Sequence, residues 1–168
     1  MELLVVLLLM GIVYALAFSS MMPKSEKEAA SDVTLPTIAS LFRASALYRR
    51  SEMALYCRED GRCQLVSGGE TLEEIKLPQS GRAYIINPDE TLQSLEYPHV
   101  RIGTDEFRPA FRIRCRADGL FDPQIIRQGD RWLYLHPFGE VHTFTDPVSM
   151  VSFVRQSDYL PDRAGYAQ

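Results

Sequence analysis

Hydrophobic positions are distributed unevenly along the chain. Residues 3–18 read LLVVLLLMGIVYALAF without a charge, and the pattern turns polar abruptly at Ser19. A bilayer-spanning helix takes about 20 apolar residues, so the run is slightly short. A cleaved signal peptide wants a basic residue ahead of the run, where Glu2 stands instead, although Ala15-Leu16-Ala17 could supply a cleavage site. An all-round apolar helix rarely packs inside a domain of this size. A signal-anchor helix over residues 1–20 is therefore the expectation adopted. Residues 21–33 are polar, and Pro23 kinks or ends a helix there, leaving a linker or a kinked extension. Residues 34–52 predict an amphipathic helix. Thr34 suits its N-cap and Pro36 its first turn; Ile38, Leu41, Phe42, Ser45, Ala46 and Tyr48 form a rough apolar face; Arg49 and Arg50 suit its C-terminus.

From residue 53 the period changes. Short runs at 53–57 and 62–66 flank Arg58-Glu59-Asp60-Gly61, a hairpin with Asp-Gly turn chemistry. Further strands are expected at 71–77, 83–86, 111–116, 124–127, 131–136, 140–144 and 148–154, separated by Gly, Pro and Asp turns. Residues 111–116 alternate cleanly, with Phe111, Ile113 and Cys115 on one face and Arg112, Arg114 and Arg116 on the other. The pattern implies an antiparallel β-rich head over 53–158 and a loose tail over 159–168.

Composition narrows the class. Of 168 residues, 46% are hydrophobic and 24% charged, which fits a folded domain rather than a disordered or collagenous chain. The net charge of −4 creates no overall field for nucleic acid. A mean hydropathy of −0.13 excludes a multi-span membrane protein.

The start of the chain, a lone Glu2 abutting a Leu- and Val-rich run, resembles the N-terminus of type IV prepilins and pseudopilins. Those begin with a basic leader ending in Gly, then Phe-Thr-Leu-x-Glu. Met1 stands at the x, so the resemblance implies a leader upstream, with Met1 an internal start. The likeness extends through Leu41-Phe42-Arg43-Ala44-Ser45-Ala46, Met53-Ala54-Leu55-Tyr56-Cys57 and Asp60-Gly61-x-Cys63, which are similar to minor pseudopilins and minor pilins of the GspH/FimT kind. It covers roughly residues 1–65. It implies an α+β fold, a long N-terminal transmembrane helix carrying an antiparallel β-rich pilin-like head. It also implies a single-pass place in the bacterial inner membrane, with the head in the periplasm and later in a filament. The function implied is that of a structural subunit of a type IV pilus, a type II secretion pseudopilus or a competence filament. Partners would be other pilin subunits through the N-terminal helix, the inner-membrane assembly machinery and, with the leader restored, prepilin peptidase. Glu2 would be the assembly residue. The alternative is a signal-anchored periplasmic domain that binds a ligand or catalyses a reaction.

Candidate chemistry is sparse. Cys57 and Cys63 face each other across the expected hairpin, as a disulfide, as free thiols, or as a metal or redox pair; zinc and redox motifs want tighter spacing. Cys115 reads as a buried thiol. His136 and His142 flank Pro137-Phe138-Gly139 and, with a carboxylate, could hold a metal; strand-end histidines in water are the plainer reading, and His99 stands apart. No nucleophile elbow, phosphate loop or dinucleotide fingerprint occurs, so no enzyme activity, cofactor or metal is expected. Arg112, Arg114 and Arg116 could face an anion, DNA or an acidic partner, or simply blunt a sheet face. The DNA reading rests on analogy alone.

Overall fold

The computed structural model describes residues 33–158. A 3-10 turn, Leu35–Thr37, opens the described chain. Thr34 N–H donates to Thr37 Oγ1 at 3.2 Å, and Thr37 N–H donates to Thr34 O at 3.0 Å. Helix α1 follows as Ile38–Ala44 and buries Ile38, Ala39 and Phe42. The helix expected over 34–52 thus ends early. Ser45 is extended and Arg49 takes φ +59°, which turns the chain so that Leu47 and Tyr48 pack against the core.

Eleven strands follow among the described residues, in antiparallel sheets. The first sheet has the order β3-β2-β1-β8: β1 is Met53–Cys57, β2 Arg62–Ser67, β3 Glu70–Lys76 and β8 Phe111–Cys115. The second has the order β11-β10-β9-β4-β5: β4 is Arg82–Ile86, β5 Leu92–Ser94, β9 Gln124–Gln128, β10 Arg131–Leu135 and β11 Val141–Phe144. A separate hairpin pairs β6, Val100–Ile102, with β7, Asp105–Phe107.

Both large sheets turn one face into the same core. Leu55, Leu65, Phe111 and Ile113 come from the first, Ala83, Ile126, Leu133 and Leu135 from the second, and Phe42 and Ile38 close it from α1. Side chains alternate along each strand, so the opposite faces need separate cover. On the first sheet the β6–β7 hairpin sets Ile102 and Phe107 against Val66. It is pinned by Arg58, which ion-pairs with Asp105 and lies over the Phe107 ring. On the second sheet the cover is helix α2, Pro147–Asp158. Its Met150, Val151 and Val154 pack on Ile125, Trp132 and Tyr134.

Helix α2 replaces the strand expected at 148–154. The valines there suit a strand, but Asp146 caps a helix. Its Oδ1 accepts from Val148 N–H at 2.8 Å and Ser149 N–H at 3.0 Å, with Pro147 in the first turn. Strands β5, β6 and β7 have three residues each, too short to show a period, and were not anticipated.

The expected architecture is corrected. The described residues form mostly antiparallel sheet with two short helices, and no helix among them is long and apolar enough to cross a membrane. The long transmembrane helix and the single-pass inner-membrane localisation with a periplasmic head are therefore not supported, and neither are the membrane, pilin-helix and secretion characters that go with them. Residues 1–20, to which the anchor was assigned, residues 21–32 of the linker, and the 159–168 tail lie outside the described residues.

Phe42 is fully buried and meets the Phe121 ring edge-on at 5.2 Å. Truncating an aromatic in such a place leaves a cavity. Phe42→Ala should destabilise the protein by about 3–5 kcal/mol in urea unfolding, with little change in slope. A loss below about 1 kcal/mol would mean that α1 does not close the core.

Candidate functional site

The β1–β2 hairpin brings the two sequence-flagged cysteines together. Gly61 turns the chain at φ +81°, where an added Cβ would stand 2.9 Å from Leu77 O, so this position needs glycine. Asp60 Oδ1 accepts from Arg62 N–H at 3.0 Å and steadies the turn. Cys57 is then the direct cross-strand partner of Cys63, and the two form a disulfide with a Cα–Cα distance of 4.1 Å. Both sulfurs belong to the core cluster. The link closes a small loop, and such a link contributes about 2 kcal/mol on the chain-entropy account. Cys115 is the free cysteine, fully buried, and burial pushes its thiol up from the ordinary range.

Arg112 and Arg114 share a face of β8, Arg116 follows just past its end, and each is engaged within the chain. Arg114 forks onto Glu52, with Nε to Oε1 at 2.7 Å and Nη2 to Oε2 at 2.6 Å, and lies 3.6 Å from Asp122. The hydrogen bond to Arg114 holds the Glu52 carboxyl below its usual range. Arg116 pairs with Asp118 at 3.3 Å, and the Arg112 guanidinium lies 5.6 Å from the Tyr97 ring centre. Tyr97 is itself buried, which pushes its phenol up, and its hydroxyl donates to Gln124 Oε1 at 3.0 Å. Each of the three guanidiniums therefore has a partner within the chain.

His136 and His142 do come close, with ring centres 6.5 Å apart and Glu140 3.8 Å from His142 Nε2. Among the described residues, however, no group of three His, Cys, Asp or Glu could hold a metal ion. The pair instead joins an aromatic cluster: His142 lies 4.5 Å from Phe153, and His136 lies 5.3 Å from Phe138. His99 faces Glu106 at 3.9 Å on the β6–β7 hairpin, away from both. Glu2 lies outside the described residues.

Two surface clefts escaped sequence reasoning. One, of about 470 Å3, runs between β4, β9 and α2 and is lined by Ile86, Pro88, Pro123, Ile125 and Val154, with Arg155 at its side. Arg155 spans from α2 to the β4–β5 turn, reaching Glu90 at 3.5 Å and Pro88 O at 3.2 Å. It was hidden because α2 reads as a strand. The other, of about 440 Å3, holds Arg82 and Arg127. Their meeting depends on strand order, and no local motif announces it.

No family model, curated protein or solved structure matches this chain.

Two outcomes follow from this geometry. Alkylation of the unreduced native chain at about pH 8 should label essentially no thiol, denaturation should expose Cys115 alone, and reduction should add Cys57 and Cys63. Labelling of Cys57 or Cys63 without reduction would refute the disulfide. The second concerns acid. A carboxylate whose pKa is lowered on folding stabilises the fold above its unfolded value, here near 4.5, and that contribution is lost as pH falls through the folded value. Thermal melting between pH 7 and pH 3 should therefore show a shallower acid decline for Glu52→Gln than for the parent. Parallel declines would mean that the Glu52–Arg114 fork is fully screened by solvent.

Proposed function

We propose that this chain is a structural assembly subunit, similar in role to minor pilins or pseudopilins, which contributes a β-rich head to a filament and works by subunit contact rather than catalysis. The observation that carries the reading is the order of elements around the disulfide. Helix α1 leads into β1, Cys57, the Asp60-Gly61 turn and Cys63, and this is the succession that underlies the resemblance. A buried cross-strand disulfide also suits a head that works in an oxidising compartment. The reading rests on the head and on the resemblance of the first residues, and it does not draw on a membrane span.

In such a subunit Glu2 has a defined task. The resemblance implies that its carboxylate pairs with a positive group on a neighbouring subunit; such a pairing offsets desolvation and sets the register between neighbours. The α-amino group of an adjacent subunit is the partner the resemblance implies.

The test uses the full-length gene, with whatever precedes Met1 in its reading frame, in the organism that encodes it. Surface filaments are sheared off, and filament-bound protein is compared with cell-bound protein. The chain should appear in the sheared fraction, and Glu2→Ala should lower that share several-fold, in line with loss of a buried charged partner. Absence from the sheared fraction, or an unchanged share in Glu2→Ala, would overturn the proposal.

A further inference from the structure

On the outer face of the five-stranded sheet the register builds a row across three strands. Arg82 of β4 stands opposite Arg127 of β9, which stands opposite Trp132 of β10. Residues directly opposite in an antiparallel pair project to the same face at about 5 Å between Cβ atoms, and like charges there repel. The two guanidiniums are nevertheless held over the sheet. Arg82 Nη2 donates to Glu59 Oε1 at 2.5 Å. The Arg127 guanidinium sits 5.4 Å from the Trp132 ring centre, and its Nε donates to Gly129 O at 3.3 Å. Glu59 offsets one positive charge, and among the described residues Arg127 pairs with no carboxylate.

The surroundings are built to hold their shape. Both arginines line the 440 Å3 cleft together with Glu59, Ser80, Gly81 and Tyr84. Gln128 Nε2 donates to Gln79 O at 2.7 Å and ties the loop before β4 to β9. Gly81 lies so close to that strand that an added Cβ would stand 2.8 Å from Ile126 Cγ2. Ser80 lines the same cleft. Tyr84 meets Trp132 edge-on at 5.0 Å and walls the cleft on the apolar side.

We infer that this cleft binds a compact oxyanion of the phosphate class, as the free ion or as the phosphoryl end of a small ester. Guanidinium forks match phosphate oxygens with charge-assisted hydrogen bonds. An anion between Arg82 and Arg127 converts their mutual repulsion into two attractions, and the Ser80 hydroxyl adds a donor. Glu59 at the rim limits the surplus charge, which favours a small anion over a polyanion. This inference is independent of the assembly role proposed above.

Trp132 is the single tryptophan of the chain and lies beneath Arg127, so its fluorescence reports on the cleft. The full chain is titrated with inorganic phosphate against sodium chloride at matched ionic strength, by fluorescence and by calorimetry. A saturable change is expected. Arg127→Gln should weaken binding by about tenfold or more, as loss of charged hydrogen bonds does. Arg82→Gln, a second variant should the first fold poorly, should weaken it comparably, whereas Arg131→Gln outside the cleft should leave it unchanged. Phenyl phosphate forms the other arm. Tighter binding than phosphate assigns an ester with a ring beside Tyr84, and equal binding assigns the free ion. No saturable signal with either probe, or equal affinity in the parent and both cleft variants, would overturn the inference.

Discussion

The described fold depends on one constraint: two antiparallel sheets must bury one face each in a single shared core. Leu55, on the central strand β1, is fully buried between its cross-strand partners Leu65 and Ile113. Ile126 and Leu133 approach the same core from the second sheet. With a side-chain period of two, slipping any of these strands by one residue would move its apolar set to the wrong face. Register is therefore fixed by burial, and everything on the outer faces inherits its position from that register.

The disulfide and the arginine row are two consequences. Cys57 and Cys63 meet because Leu55 pairs with Leu65 two residues earlier on the same hairpin. Arg82 and Arg127 meet because Ala83 pairs with Ile126 on the inward side of the same ladder. One juxtaposition is closed by a covalent bond inside the core, whereas the other stays at the surface, with Arg82 held by Glu59 and Arg127 by Trp132. The remaining ion pairs, such as Arg58 with Asp105 and Arg114 with Glu52, fasten the β6–β7 hairpin and the β1 entry instead of forming an open site. The more exposed Arg114–Glu52 pair adds little stability and serves to orient the elements it joins.

The corrected architecture changes what the functional reading can rest on. The head is a β structure whose two short helices lie over the core and the outer face of one sheet. The proposed assembly role accordingly draws on the disulfide-bearing hairpin and on the resemblance of the first residues. The anion binding proposed for the Arg82–Arg127 cleft does not depend on that role.

Local signals served well where one residue type dictates the backbone. Asp60-Gly61 announced the hairpin because the turn needs a positive φ, and the clean alternation of 111–116 announced β8, which spans Phe111–Cys115, because one of its faces is buried. They failed where two local preferences compete. The valines of 148–154 pointed to a strand, but the Asp146 cap and the packing of Met150 and Val154 on Trp132 and Tyr134 made a helix. The helical period through residue 50 was overridden when Leu47 and Tyr48 were drawn onto the core. The cysteine pair was legible because its partners lie on adjoining strands of one hairpin. The pairing of Arg82 with Arg127 was not, because strand order in a sheet is set by how distant apolar faces share a core, and no residue near either arginine encodes it.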